Sequence, residues 1–289
     1  TLGYHTGLLF HLDDRDLRTA TMTGMAAFFA ALFGTPLTAT IFALEVISVG
    51  VLYYAGLVPC ITAAMAAFGV SALMGVEPTR FTVSMPRVTL ELMLPVVVLS
   101  ILCALVSILF CKGLHWTERL LDRGFRSPWV RVLAGSVLLI GMSLLTNGDY
   151  NGAGMDVIAR ALRGDVSGWA WLWKLLFTAV TIGCGFKGGE VVPSFFVGAA
   201  FGCFMGGLLG LPAGFAAAIG LVAVFCGAVN CPVASVLLSV ELFGSAGAPY
   251  FAVACALSYL LSGYCGLYSS QTILYSKLRA EFINVRTHE

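Results

Sequence analysis

The chain has 289 residues, of which 59% are apolar and 11% are Asp, Glu, Lys or Arg, and its formal net charge is +1. A soluble globular protein carries roughly 25% charged residues, so this composition cannot clothe a water-facing surface, and a mean hydropathy of +0.93 agrees. Disorder is excluded, a soluble enzyme domain does not fit, the near-neutral charge gives no reason to expect a nucleic-acid partner, and the chain reads as an integral membrane protein.

Barrel strands would alternate apolar and polar residues over about ten positions, whereas here the apolar runs are long and continuous. Helices must then satisfy the backbone in lipid, which predicts an all-α, polytopic membrane helical bundle. A short helix is expected near Leu2–Leu12, and another from Leu17 to Phe33 behind the acidic string DDRD. A Gly34-Thr35-Pro36 break follows, with a new helix starting at Pro36, a residue suited to the first helical position. Val51–Met74 is apolar around Pro59, and Gly75–Arg87 reads as an extramembrane loop. Val88–Cys111 is long enough to span, since a spanning helix needs about 20 such residues. The following string KGLHWTERLLDRGFRSPWVR holds five basic and two acidic residues and reads as a cytoplasmic loop by the positive-inside rule. Val130–Leu145 is apolar, and Asn147–Gly168 is polar around an amphipathic piece, Met155–Leu162. Trp169–Cys184, Val191–Ile219 and Phe251–Leu261 complete the apolar runs, and the charged end Lys277–Glu289 is expected in the cytoplasm. The 33 glycines are scattered through these runs rather than confined to loops, which suits close helix packing of the small-xxx-small kind.

The nine cysteines form no C-x-x-C pair and the four histidines are scattered, so no metal or other cofactor is expected. The thiols read as small buried hydrophobes. No H-E-x-x-H helix or nucleophile–base pair points to an enzyme.

Sliding the chain by 196 residues aligns Ala20–Glu45 with Ala216–Glu241 without a gap. Ala20, Gly24, Ala27, Phe29, Pro36 and Glu45 fall on Ala216, Gly220, Ala223, Phe225, Pro232 and Glu241, where about two or three identities would arise by chance. The shared grammar is an apolar helix, a break, a proline, nine steps and a glutamate. Duplicated halves with matching helix breaks are a transporter architecture, often inverted, although sequence alone does not show inversion. The symmetric placement of Glu45 and Glu241 argues for a structural or interfacial role repeated by duplication.

The most unusual string is Gly183-Cys184-Gly185-Phe186-Lys187-Gly188-Gly189-Glu190-Val191-Val192-Pro193. Non-helical backbone at membrane depth survives only beside protein or water. A helix restarting at about 190–193 points unpaired N–H groups and its positive end into that space, a ready anion site. A glycine-rich kink packed on a neighbour is the plainer alternative. An ionised Glu190 about 4 Å from a bound anion would cost on the order of 4 kcal/mol at an effective dielectric of 20. The helix end returns at most about 2 kcal/mol. The carboxylate should therefore turn away or be protonated while an anion is present, which makes it a proton–anion coupling device. Capping of its own helix is the simpler alternative. Lys174 and Lys187 read as snorkelling or pairing with nearby groups.

GFKGGEVVPSFFVGAAFG resembles the second-half anion-site motif of the CLC chloride channel and transporter family, and AAFFAALFGTPLTATIFALE resembles its first-half helix pair. The match runs from about Gly3 to Ser276. Glu190 within GGEVxP is similar to the fluoride/proton antiporter branch, as is the single glutamate of Glu45-Val46, where proton-coupled chloride members carry a pair. Gly266-Leu267-Tyr268-Ser269-Ser270-Gln271 resembles the segment supplying the family's anion-site tyrosine, a neutral hydrogen-bond donor. Tyr275 in LYSKLR resembles the chloride-branch form, and Tyr268 is preferred.

The resemblance implies a CLC-type bundle of two related halves with broken helices, working as a fluoride/proton antiporter that exports fluoride. Gly188, Gly189, Val191, Val192 and Tyr268 would bind the anion, and Glu190 would couple protons. It further implies a homodimer in the plasma membrane, with Pro36–Glu45 and Pro232–Glu241 as the natural interface. The alternatives are a chloride channel or chloride/proton exchanger, or a transport-dead truncated membrane subunit. Val192 stands where the fluoride branch commonly has threonine. The 196-residue offset carries Gly183–Pro193 back beyond Thr1, so the first-half glycine-rich motif is expected outside this chain. Residues 1–50 are accordingly read as the remainder of the first half, and 51–289 as the second half with linking helices.

Overall fold

The computed structural model describes residues 1–125, 127–279 and 281–287. Two compact units emerge: Thr1–Thr82 with Asn230–Ala248 and the residues from Tyr268 onward, and Val83–Val229 with Pro249–Leu267. Twelve α-helices are found among the described residues, four of them long and apolar enough to cross a membrane.

In the first unit, α1 covers Leu2–Leu9 and α2 covers Asp14–Phe33. Helix α2 starts three residues before the sequence expectation, because the Asp13 carboxylate accepts from the amides of Arg15 (3.1 Å) and Asp16 (2.8 Å). That N-cap, followed by Asp14 and Asp16 against the positive helix end, makes the acidic string the first turn rather than a leader. Helix α3 (Pro36–Glu45) and α4 (Leu57–Leu73) follow, and α11 (Pro232–Phe243) belongs to the same unit.

The repeated break recurs in backbone geometry. Gly34 and Asn230 are both left-handed, with φ of 68° and 59°. Thr35 (φ −123°, ψ 73°) and Cys231 (φ −121°, ψ 76°) have nearly identical conformations, and Pro36 and Pro232 open α3 and α11. The terminal glutamates then cap each other's helices. Glu45 accepts from the amides of Val233 (3.1 Å) and Ala234 (2.9 Å). Glu241 accepts from those of Leu37 (3.1 Å) and Thr38 (2.8 Å). Each contact maps onto the other by the 196-residue offset. A reciprocal contact of this kind is the mark of a two-fold relation. Since the end of each helix meets the start of the other, α3 and α11 run antiparallel, and the inversion hidden from sequence is visible here. The structural role expected for the two glutamates is this double clamp.

A three-stranded sheet in this unit was not anticipated by an all-α reading. β1 (Ser48–Val49) pairs in parallel with β2 (Thr272–Tyr275), which pairs antiparallel with β3 (Phe282–Arg286). It occupies part of the charged end expected in the cytoplasm; Ala280, His288 and Glu289 of that end lie outside the described residues.

The second unit holds α5 (Leu90–Gly124), α6 (Pro128–Leu145), α7 (Met155–Leu162), α8 (Ala170–Gly183), α9 (Val191–Leu208), α10 (Ala213–Val229) and most of α12 (Ala248–Leu261). The expected loop after Cys111 is a correction: α5 continues through it for 35 residues in all. Between Cys111 and Gly124 no helix breaker stronger than Gly113 occurs, and charge alone does not stop a helix that has left the apolar layer. Arg131 of α6 pairs with Asp122 of α5; Arg126 of that string lies outside the described residues.

The apolar run 191–219 folds as α9 and α10, broken at 209–212. A Cβ on Gly198 would collide with the Gly220 carbonyl, and one on Gly220 with that of Gly198. Gly202 likewise abuts the Ala216 carbonyl. The small residues at four-residue spacing thus bring the two backbones into direct contact, as the glycine content predicts. Eight cysteines are buried and Cys265 is half-buried.

Candidate functional site: the broken helix at 183–193

The break is built by local rules. Gly185, at φ 94°, lets the chain leave α8 in a left-handed conformation that other residues resist. The Phe186 amide bonds the Thr181 carbonyl (3.2 Å) and the Gly185 amide bonds that of Ile182 (2.9 Å), a Schellman closure. After the irregular segment 186–190, α9 restarts at Val191. Its first main-chain hydrogen bond runs from the Ser194 amide to the Glu190 carbonyl (3.1 Å). Pro193 has no N–H, and among the described residues no protein acceptor engages the amides of Val191 or Val192.

The Glu190 side chain makes no capping hydrogen bond to its own helix, so the simple capping alternative does not hold. The carboxylate is half-buried, and the charge of Glu118 on α5 acts on it. Glu118 lies in the string expected to be a loop, and nothing in its spacing points to Glu190. Gly188 and Gly189 are exposed, and a Cβ on either would meet no protein atom within 4 Å. Protein packing therefore does not demand glycine there; the space in front of them is open.

That space belongs to a cavity of about 510 Å³, whose wall includes Gly188, Gly189, Val192, Pro193, Thr178 and Lys174. Its polar side comes from α8 and the loop ahead of α7. The Lys174 ammonium donates to the carbonyls of Tyr150 (3.1 Å) and Gly152 (2.6 Å) and lies 5.0 Å from the centre of the Phe196 ring. Lys174 is 2% exposed, so it pairs inward and does not snorkel. Lys187 is exposed. Burial, followed by the nearby Asp149 charge, pushes the Tyr150 phenol above its usual range, leaving it neutral. Lys174 and the 150–153 loop were missed as site candidates; the available signal was one lysine within the apolar run Trp169–Cys184.

The structure thus brings Gly188, Gly189 and Val192 to one cavity, with Glu190 and Val191 adjoining them in the chain. Tyr268 belongs to the other unit. It is half-buried ahead of β2, and its carbonyl accepts from the Gln271 amide (3.0 Å) and the Thr287 hydroxyl (2.8 Å). Tyr275 is on β2 with its ring edge-on to Phe282.

Long apolar helices, an inverted helix pair and a helix start opening on a cavity define a polytopic helical membrane protein of the inverted-repeat type. The chain belongs to the voltage gated chloride channel family, whose family model matches residues 2–263. It is 38% identical over 277 residues to a chloride/fluoride channel protein of Pseudomonas syringae pv. tomato, covering 93% of this chain and 61% of that protein. A voltage-gated ClC-type chloride channel of Salmonella typhi is 27% identical over 258 residues, covering 83% and 60% respectively. The chain thus spans about three fifths of these curated relatives. Among solved structures, a CLC-type fluoride/proton antiporter superposes with a TM-score of 0.89 at 32% identity, covering 93% of this chain and 70% of that one. A slow cyanobacterial Cl−/H+ antiporter shares the fold, with a TM-score of 0.71 at 18% identity and coverage of 90% and 64%.

Proposed function

We propose that the chain is the greater part of a membrane anion transporter that exchanges fluoride for protons and exports fluoride across the plasma membrane. The observation that carries this reading is the start of α9, where two unengaged amides and one carboxylate that does not cap its helix meet at an open glycine pair. The amides of Val191 and Val192 donate to the anion beside Gly188 and Gly189, and a neutral Glu190 gives it a proton or hydrogen bond. Fluoride suits this chemistry as the strongest hydrogen-bond acceptor and the most basic of the halides. The 32% identical relative is named for fluoride and protons, which supports fluoride, and the 38% identical one is named for both chloride and fluoride.

Residues 1–50 belong to the first half-repeat and 51–289 to the second with its linking helices. Two chains form a homodimer through α3 and α11, which leave the offset-related residues Leu37 and Val233 equally exposed at 48%. Glu190→Gln tests the coupling. It removes the titrating group while keeping size, so proton movement linked to fluoride efflux from liposomes falls by at least about tenfold, in the range of a lost general acid–base group. Unchanged coupled flux in Glu190→Gln contradicts the assignment. Chloride efflux as fast as fluoride efflux in the unsubstituted protein contradicts the fluoride reading and favours a chloride carrier.

A further inference from the structure

Lys174 is a buried cation that pairs with no carboxylate among the described residues. Its ammonium is held by two main-chain carbonyls and an aromatic face, and among the described residues neither ion pair involves it. Asp156 contributes only a longer-range attraction. A buried ammonium is costly without a counter-charge, and carbonyl dipoles compensate it only in part. The side chain also walls the 510 Å³ cavity, together with the open Gly188–Gly189 pair, Val192, Pro193, Thr178 and Thr181. The hydroxyls of Thr178 and Thr181 donate to the carbonyls of Lys174 (2.8 Å) and Phe177 (2.7 Å), so α8 presents them already turned to its own backbone.

We propose that this cavity is a holding site for a small inorganic anion, with Lys174 as its fixed positive charge and the absent counter-ion a mobile one. The site shares its cavity with the amide site at the start of α9 and deepens that reading by naming the charge that holds the anion; it rests on the proposed anion transport only for its physiological occupant. Lys174 acts by field across the cavity rather than as a direct ligand, since two of its three N–H groups are committed to carbonyls. Pinning residues 150–152 of the loop keeps that charge in place as anions pass.

Two roles must be separated: fixing the loop, which needs a donor, and attracting an anion, which needs a charge. Lys174→Gln keeps a donor for the carbonyls and removes the charge; Lys174→Arg keeps both. The readout is thermal unfolding of the purified protein in detergent, in sodium fluoride or sodium chloride against sodium gluconate. Ligand binding to the folded state raises the melting temperature with concentration. The unsubstituted protein and Lys174→Arg are stabilised by halide, and Lys174→Gln needs about tenfold more halide for the same shift, as expected for losing a nearby charge. A Lys174→Gln halide dependence equal to that of the unsubstituted protein, or no halide stabilisation in the unsubstituted protein, overturns the proposal. If Lys174→Gln fails to fold, loss of halide stabilisation in Lys174→Arg overturns it, and its retention supports the charge role. Liposome flux is scored separately: absent fluoride transport with retained, Lys174-dependent halide stabilisation would remove the transport reading and leave this site standing.

Discussion

Replacing Glu45 by alanine lowers the unfolding free energy by about 3 to 6 kcal/mol, because two amide hydrogen bonds to a charged acceptor are lost at about 1.5–3 kcal/mol each. Glu241→Ala acts in the same direction but less, since Glu241 is half-buried whereas Glu45 is 7% exposed. Each deletion also orphans two amides at the start of the opposite helix, Val233 and Ala234 in one case and Leu37 and Thr38 in the other. Glutamine keeps one acceptor but turns an NH₂ toward the second amide, so Glu45→Gln falls between wild type and alanine. The double alanine variant costs less than the sum, because either break already loosens the same helix pair. Denaturant or thermal unfolding in detergent measures all of these. Alanine variants within about 0.5 kcal/mol of the unsubstituted protein, the level of an ordinary surface change, would show that the clamp does not hold the helix pair together.

Gly198→Leu destabilises through the opposite mechanism. The new side chain has to enter space held by the Gly220 carbonyl and by the Cα of Leu221, 2.9 Å from the position of its own Cβ. Backbone cannot swing aside as a flexible side chain does, and overpacking a well-filled core costs about 1–3 kcal/mol even where side chains yield. The expected loss is therefore at the top of that range or above it, with little folded protein recovered. Gly207→Leu is the matched control on the same helix: no protein atom lies within 4 Å of a Cβ there. It should unfold as the unsubstituted protein does. Equal behaviour of Gly198→Leu and Gly207→Leu would mean that α9 and α10 do not meet at their glycines. Because α9 also carries the amides of Val191 and Val192, any Gly198→Leu protein that survives should also disturb the proposed anion site.

Much of this was legible in the chain because local rules decide it. The helix starts at Pro36 and Pro232 and the amphipathic α7 were readable from residues alone, since proline position and apolar period act within a few residues. The break before α9 was readable because four glycines, a lysine and a glutamate have no other reason to interrupt an apolar run. The 35-residue length of α5 was obscured by charge, which signals exposure to water and says nothing about helix continuation. The sheet was invisible because β1 and β2 are separated by more than two hundred residues and each is too short to carry a pattern. The clamp was half-visible: the offset placed Glu45 and Glu241 as equivalents, but only coordinates could show that each reaches the other's helix. Lys174 was misjudged in emphasis, because sequence marks a lysine in an apolar helix without telling whether its ammonium reaches out to water or in to carbonyls. That distinction separates a tolerated surface charge from a cation that defines a cavity.

The proposed coupling joins a fluoride ion and a proton in one event at the start of α9. The most direct measurement places the purified protein in liposomes with a fluoride gradient and no proton gradient, and follows internal pH. With that coupling, fluoride running down its gradient drives protons the opposite way, this pumping vanishes in Glu190→Gln, and an equal chloride gradient drives little. Fluoride efflux that leaves internal pH unchanged once the membrane potential is clamped, or proton pumping that survives Glu190→Gln, would contradict it.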